Sequence, residues 1–334
     1  MWEFADPDLF RSQSSPAVAV TGRISSGQWV AFFVSGKTYL SKYPSIYMID
    51  IADGSLVQRI YLDSAASGIE GVPSGQPSAV DSDGNGYIDR IYIGTNKGYL
   101  YKVDIPDNLS GAGSITNCVV NTDFTDNFGN SVAADQQYHP IYASPTVIVQ
   151  NTYDQDGKVS EWKTSVLFGT GDSPYFNDNV NTGTTTYHFF AYVDKAQKGT
   201  CTPGTVTLDW VYALPAGERI FASAFAAAKT VYFGTSTAET EDPCEGSGIV
   251  GKNLGKIRAM EINQTGSVNV KFTKTTGNIV SAPVVDDNHL YVKTTGGGIQ
   301  TTPGPYNNPS AMAGLVESAV ASWREIFGWD EPLR

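Results

Sequence analysis

Apolar and polar residues along this chain alternate with a period of two, broken by turns, and one plan recurs. In each copy an apolar, aromatic or β-branched run ends in Gly-Thr or a similar pair. A turn follows, and then a strand that ends in an acidic residue. One copy reads RIYIGTNKGYLYKVDI (90–105). A second pairs SVLFGTGD (165–172) with YHFFAYVDK (187–195), and a third pairs TVYFGTSTAE (230–239) with GKIRAMEI (255–262). Near the start WVAFFVSG (29–36) precedes SIYMIDIADGSL (45–56), and near the end HLYVKTTGGGI (289–299) is a degenerate copy.

A segment of small residues precedes each copy: SSPAVAV (14–20), GQPSAVD (75–81), YASPTVIV (142–149), FASAFAAA (221–228) and VSAPVVD (280–286). Strands rich in Ala, Ser and Val fit where backbones crowd, as beside the channel of a β-propeller. The aromatic strand that follows suits burial between stacked blades. The next one alternates, as in YLYKVDI, which predicts a half-exposed outer position. Each unit is therefore an antiparallel meander of three or four strands, which cannot bury both faces alone; radial stacking solves this. The expectation is an all-β fold, a β-propeller of five recognisable blades, complete or part of a larger ring. A β-sandwich or two smaller β domains is the competing architecture. The whole chain, 1–334, reads as one propeller domain with a closing segment at 309–334. Alternation in LVESAVASWREIF (315–327) predicts a strand there, although the same residues also fit a helical face.

Composition supports this class. Of the 334 residues 41% are hydrophobic and 17% charged, enough for a packed core. Gly (34), Tyr (18) and Phe (15) are plentiful, which favours strands and turns. The net charge of −12 repels phosphate backbones, so a nucleic-acid partner is not expected. No run of 18 apolar residues exists to span a membrane. MWEFADPDLF has neither the basic nor the apolar region of a signal peptide, so an export signal would lie upstream.

Cys118, Cys201 and Cys244 form no CxxC pair. Cys201 and Cys244 both sit in turn-rich loops. A disulfide between them would suit an oxidising compartment; two unrelated thiols is the other reading.

Candidate chemistry is concentrated in DSDGNGYID (81–89). Asp81, Asp83, Asn85, the carbonyl of Tyr87, and Asp89 occupy positions 1, 3, 5, 7 and 9 of an EF-hand-type loop, with Gly86 at the sharp turn. Tyr92 stands where that loop has its bidentate Glu, so Asp89 must bind directly. The donor set is hard oxygen and predicts Ca²⁺, with Kd on the order of 10⁻⁶ to 10⁻⁴ M. No His or Cys is close enough in sequence to suit zinc. A metal-free hairpin rich in Asp and Gly is the bland alternative. DQDGKVSEW (154–162) begins alike, but Lys158 at its fifth position opposes a cation; it reads as an exposed hairpin tip.

No GxSxG, HExxH or Walker A loop is present, nor a GxGxxG that opens a helix. His139, His188 and His289 are scattered, and the last two fall inside strands. No catalytic residues are assigned, and an enzyme is not expected.

WEFADPDLF (2–10), SAVDSDGNGYIDRIYIGTNKGYLYKVDI (78–105) and SWREIF (322–327) resemble motifs of the PilY family of type IV pilus-tip proteins. The resemblance implies an exported carboxy-terminal propeller at the pilus tip, the cell surface or the outer membrane and periplasm. It implies Ca²⁺ on Asp81, Asp83, Asn85, Tyr87 and Asp89, and minor pilins of the tip complex as partners. It also implies roles in pilus extension and retraction, twitching motility and surface attachment. The resemblance covers the carboxy-terminal propeller, so the family's amino-terminal adhesive region, which would contact host or abiotic surfaces, is not expected within these residues. The long insertions at 175–186 and 238–254 are candidate pilin-binding loops. The repeats also resemble those of quinoprotein dehydrogenases, which use pyrroloquinoline quinone. Against that rival stand a chain too short for eight blades and the lack of an adjacent Cys-Cys pair. A third reading is a scaffold that docks minor pilins around a purely structural ion.

Overall fold

A strand with apolar residues on both faces needs a neighbour on each. The computed structural model of this chain meets that need, among its described residues, with five stacked antiparallel sheets of four or five strands. It describes residues 2–6, 9, 20–35, 45–62, 73–96, 98–107, 109, 116–119, 140–171, 186–200, 205–215, 218–220, 222–227, 229–237, 255–262, 268, 270–275, 282–285, 289–293, 299–303 and 316–318. The first blade is β1 (Val20–Arg23), β2 (Trp29–Val34), β3 (Ser45–Asp50) and β4 (Leu56–Tyr61), and the second is β5 (Ser78–Val80), β6 (Arg90–Gly94), β7 (Leu100–Asp104) and β8 (Thr116–Val119). The third begins with β9 (Thr146–Val149), is interrupted by a hairpin of β10 (Thr152–Tyr153) and β11 (Val159–Glu161), and continues with β12 (Thr164–Gly169), β13 (His188–Asp194) and β14 (Val206–Ala213).

In the fourth blade, β15 (Glu218–Arg219) and β16 (Phe225–Ala227) share one edge of β17 (Thr230–Thr237), and β18 (Lys256–Glu261) and β19 (Val270–Thr275) follow. The fifth is β20 (Val284–Val285), β21 (His289–Lys293), β22 (Ile299–Pro303) and β23 (Val316–Ser318). The tail thus contributes a strand paired with β22, as the alternation predicted. The described residues contain no helix, and so none long and apolar enough to cross a membrane.

The small-residue segments do supply the first strands, and β1, β5, β9 and β16 touch in succession. β1 starts only at the last residue of SSPAVAV; residues 14–19 lie outside the described residues. The expectation of a half-exposed third strand is corrected. All of β7 and all of β13 is buried. The reason is that a fourth strand pairs along the edge of the third, which becomes an interior strand with its faces packed on neighbouring blades, while the fourth takes the outer, alternating position, as β4 and β14 do.

Period-two geometry then divides each central strand between two interfaces. Ile91 and Ile93 pack with Phe32 and Met48 of the first blade, whereas Tyr92 between them packs with Val166 and Phe168 of the third. Leu167 turns the other way, into a core with Phe233 and Met260 of the fourth blade. There Phe189 stacks on Phe233 with centroids 4.2 Å apart. Tyr232 and Ala259 face Leu290 and Val292 of the fifth. On the first blade's other face Phe4 packs on Tyr47, and Trp2 donates to the Ile51 carbonyl at 2.6 Å.

The recurrent Gly-Thr pair has a packing cause. A Cβ on Gly94 would meet Ile141 at 2.4 Å, and one on Gly169 would meet Ile220 at the same distance. The adjacent threonine carbonyls, Thr95 and Thr170, accept the N–H of those same isoleucines. Glycine leaves room at the point where the connection into the next blade crosses.

Two buried ionic groups clamp neighbouring elements. Arg90 donates to Asp104 through Nε (2.6 Å) and Nη2 (3.2 Å), and to the Ala196 carbonyl at 3.2 Å. Asp194 receives the Tyr92 hydroxyl at 2.7 Å and lies 3.0 Å from Lys102 Nζ. Burial, followed by the Asp194 charge, raises the Tyr92 hydroxyl well above its ordinary value and keeps it a neutral donor. In the fourth blade Glu218 takes Lys256 at 2.5 Å and Arg258 at 2.6 Å. Burial alone would raise the Glu218 carboxyl, but hydrogen bonds from Arg258, Lys256 and Thr235 outweigh it and hold the group below the usual glutamate range.

Asp194→Asn should destabilise the protein by about 3–5 kcal/mol, because the buried Lys102 and Arg90 are then left to share the single counter-charge of Asp104; a lower urea midpoint checks this. Glu218 titrates below its unfolded value, so its contribution is full above pH ~4.3 and is lost as pH falls through the folded value. The stability gap between wild type and Glu218→Gln should therefore be constant near neutrality and close in acid, read from urea curves across pH.

Candidate metal centre

Residues 81–89 join β5 to β6. Gly84 and Gly86 have φ of 82° and 88°, the left-handed conformation that permits the curl. The curl turns backbone N–H groups inward. Gly84 and Asn85 donate to Asp81 Oδ1 at 2.7 and 3.1 Å, and Gly86 donates to Asp81 Oδ2 at 2.6 Å. Asn85 N–H also reaches Asp83 Oδ1 at 3.1 Å, Tyr87 N–H reaches Asn85 Oδ1 at 2.9 Å, and Ser82 N–H reaches Asp89 Oδ1 at 2.7 Å.

The carboxylates of Asp81, Asp83 and Asp89 offer oxygens within 4.8 Å of one another. Ligands opposed across a calcium ion, each at about 2.3–2.6 Å, are separated by up to about 5.2 Å. One ion can therefore touch all three. Asp89 is 2% exposed, and its Oδ2 has no well-aligned hydrogen-bond donor among the described residues. A buried carboxylate oxygen left this way is costly unless a cation answers it. Burial raises the Asp89 carboxyl, with Ser82 and Lys198 opposing only in part. Burial also raises Asp83, against the Lys198 charge. The residues thus fit a hard cation: Asp81, Asp83, Asn85, the Tyr87 carbonyl and Asp89 would hold it, and its charge would offset theirs.

Neighbouring blades brace the loop from both sides. From the first blade, the Arg23 carbonyl accepts Ile88 N–H at 2.7 Å, and the Arg23 guanidinium lies 5.4 Å from the Tyr87 ring centre. From the third, Asn151 Nδ2 donates to the Ser82 carbonyl at 2.7 Å, and a Cβ on Gly84 would come within 2.8 Å of the Tyr153 hydroxyl. Lys198 Nζ lies 3.3 Å from Asp89 Oδ2 and 3.6 Å from Asp83 Oδ2. Sequence reading missed Lys198, Asn151 and Tyr153, which are remote in the chain and carry no spacing signal.

The second acidic segment is an exposed hairpin tip, as expected. The Asp154 carboxylate there accepts the N–H groups of Asp156 and Lys158. His188 is buried in β13 and His289 opens β21, while His139 lies outside the described residues. Cys118 falls in β8. Cys201, Cys244 and both insertions (all but residue 186) also lie outside the described residues.

The PilY1 beta-propeller domain family matches residues 8–209, more than half of the chain. The type IV pilus biogenesis factor PilY1 of Pseudomonas aeruginosa (strain UCBPP-PA14) is 25% identical over 228 residues, covering 63% of this chain and 18% of that protein. The chain thus spans less than a fifth of that relative's length. The crystal structure of the Pseudomonas aeruginosa PilY1 C-terminal domain matches with a TM-score of 0.57 at 15% identity, over 86% of this chain and 72% of that one. The Dos1 propeller matches with a TM-score of 0.50 at 9% identity, over 90% and 59%. Such identities speak to fold, and the fold they share with this chain is a propeller. Repeat plan, blade stacking and family match agree: the chain belongs to the PilY1 β-propeller domain family.

Proposed function

We propose that this chain is the calcium-binding propeller module of a type IV pilus biogenesis factor. In this reading it is exported and held at the pilus tip or cell surface. There it docks minor pilins, and ion occupancy biases pilus extension against retraction, and with them twitching motility and surface attachment. Family membership supports the pilus role. The observation that carries the calcium role is the convergence of Asp81, Asp83 and Asp89, with the buried Asp89 Oδ2 lacking an aligned donor. The loop touches the blades on either side, so an ion there would stiffen two interfaces as well as one turn.

Calorimetric titration with CaCl₂ tests the binding. The wild-type chain should bind one ion with Kd on the order of 10⁻⁶ to 10⁻⁴ M, and Asp81→Ala should abolish the heat. At calcium 100-fold above Kd the fold should gain about 2.7 kcal/mol. Absence of heat from the wild type would contradict the reading. Pilus number and retraction in an Asp89→Ala strain separate regulation from scaffolding: unchanged pili and motility mean that the ion is structural only.

A further inference from the structure

We propose that Lys198 is a tethered competitor for calcium: its ammonium compensates the acidic loop when no ion is bound and is displaced when one binds. The inference rests on the calcium reading above, and it assigns a second segment, remote in sequence, to the control of that site's affinity.

The geometry is specific. Lys198 Nζ lies 3.3 Å from Asp89 Oδ2 and 3.6 Å from Asp83 Oδ2, two of the oxygens that calcium would use. Its side chain is only 16% exposed. The ammonium directs its hydrogen bond elsewhere, to Asp107 Oδ1 at 2.5 Å. Its link to the loop is therefore compensation of charge rather than a directed bond, and Asp89 Oδ2 keeps no aligned donor.

A dication about 2.3–2.6 Å from Asp89 Oδ2 would stand within about 6 Å of this ammonium. Like charges that close, sharing partly buried counter-charges, repel. Asp107 is 65% exposed, so the ammonium has a carboxylate to retreat to at the protein surface. The lysine backbone has no such freedom. On one side Ala196 N–H donates to Asp194 at 2.8 Å; on the other Gly199 N–H donates to Asp104 at 2.8 Å, and the Thr200 carbonyl accepts Lys102 at 3.2 Å. The buried ionic group thus holds the Lys198 backbone beside the loop. Only the side chain can move aside, so every calcium ion competes with a cation of fixed effective concentration. The consequence is a site that responds at higher calcium than its three carboxylates alone would set, and a loop whose charge is compensated without the ion.

The test uses the full chain with CaCl₂ as the probe, in wild type, Lys198→Met and Lys198→Arg. Lys198→Met keeps the apolar stem and removes the charge. It should bind calcium at least about tenfold more tightly, and Lys198→Arg should return Kd towards the wild-type value. In EGTA, Lys198→Met should melt below wild type; in saturating calcium the deficit should vanish or reverse. In the wild-type chain itself, the Lys198 ε-methylene NMR signal should shift as calcium is added. Equal or weaker calcium affinity in Lys198→Met, or a Lys198 signal indifferent to calcium, overturns this proposal and leaves the calcium site standing. Absence of binding in wild type and variant alike overturns both.

Discussion

Three carboxylates confined to one nine-residue turn repel one another, and much of the surrounding structure answers that repulsion. Backbone N–H groups of residues 82, 84, 85 and 86 point at Asp89, Asp81 and Asp83, which two left-handed glycines make possible. Even so, burial leaves Asp83 and Asp89 harder to ionise than exposed carboxylates. The remaining charge calls for a cation from outside the loop. The protein supplies a singly charged one, Lys198, and on the calcium reading a doubly charged ion would take its place.

The propeller explains why such a turn matters beyond itself. Each blade is too thin to hold a core of its own, so the apolar residues of β6 are divided between the first and third blades. The turn that starts β6 sits at the same junction, touched by Arg23 from one side and by Asn151 and Lys198 from the other. Immediately behind it, Arg90 and Asp104 carry the buried ionic group that holds residues 196–200. Charge on the loop, the position of Lys198 and the packing of the second blade on the third are therefore one coupled arrangement. A change of ion occupancy would act on a blade interface.

Much of this was legible in the residues. Period-two runs, small-residue first strands and recurring Gly-Thr pairs identify the five sheets, and the alternation of oxygen-bearing residues from Asp81 to Asp89 marks the turn. These signals are local, which is why a linear reading captures them. The third strand was misplaced because burial depends on what flanks a strand: YLYKVDI alternates, yet β8 pairs along its outer edge and neighbouring blades pack on its faces. Lys102 and Arg90 within that blade look like solvent-facing charges until Asp194, about 100 positions on, is brought against them. Lys198 was illegible for the same reason. Nothing in AQKGTC distinguishes it from a surface lysine; only its anchored neighbours on the third blade aim it at the turn.

The most direct measurement of the central claim is a crystal structure of the chain grown in calcium, with anomalous scattering used to identify the ion. The account predicts one calcium peak in the 81–89 turn, about 2.3–2.6 Å from oxygens of Asp81, Asp83 and Asp89, with the Lys198 ammonium moved out towards Asp107. A turn without anomalous signal, and Lys198 still against Asp83 and Asp89 in ample calcium, would contradict it.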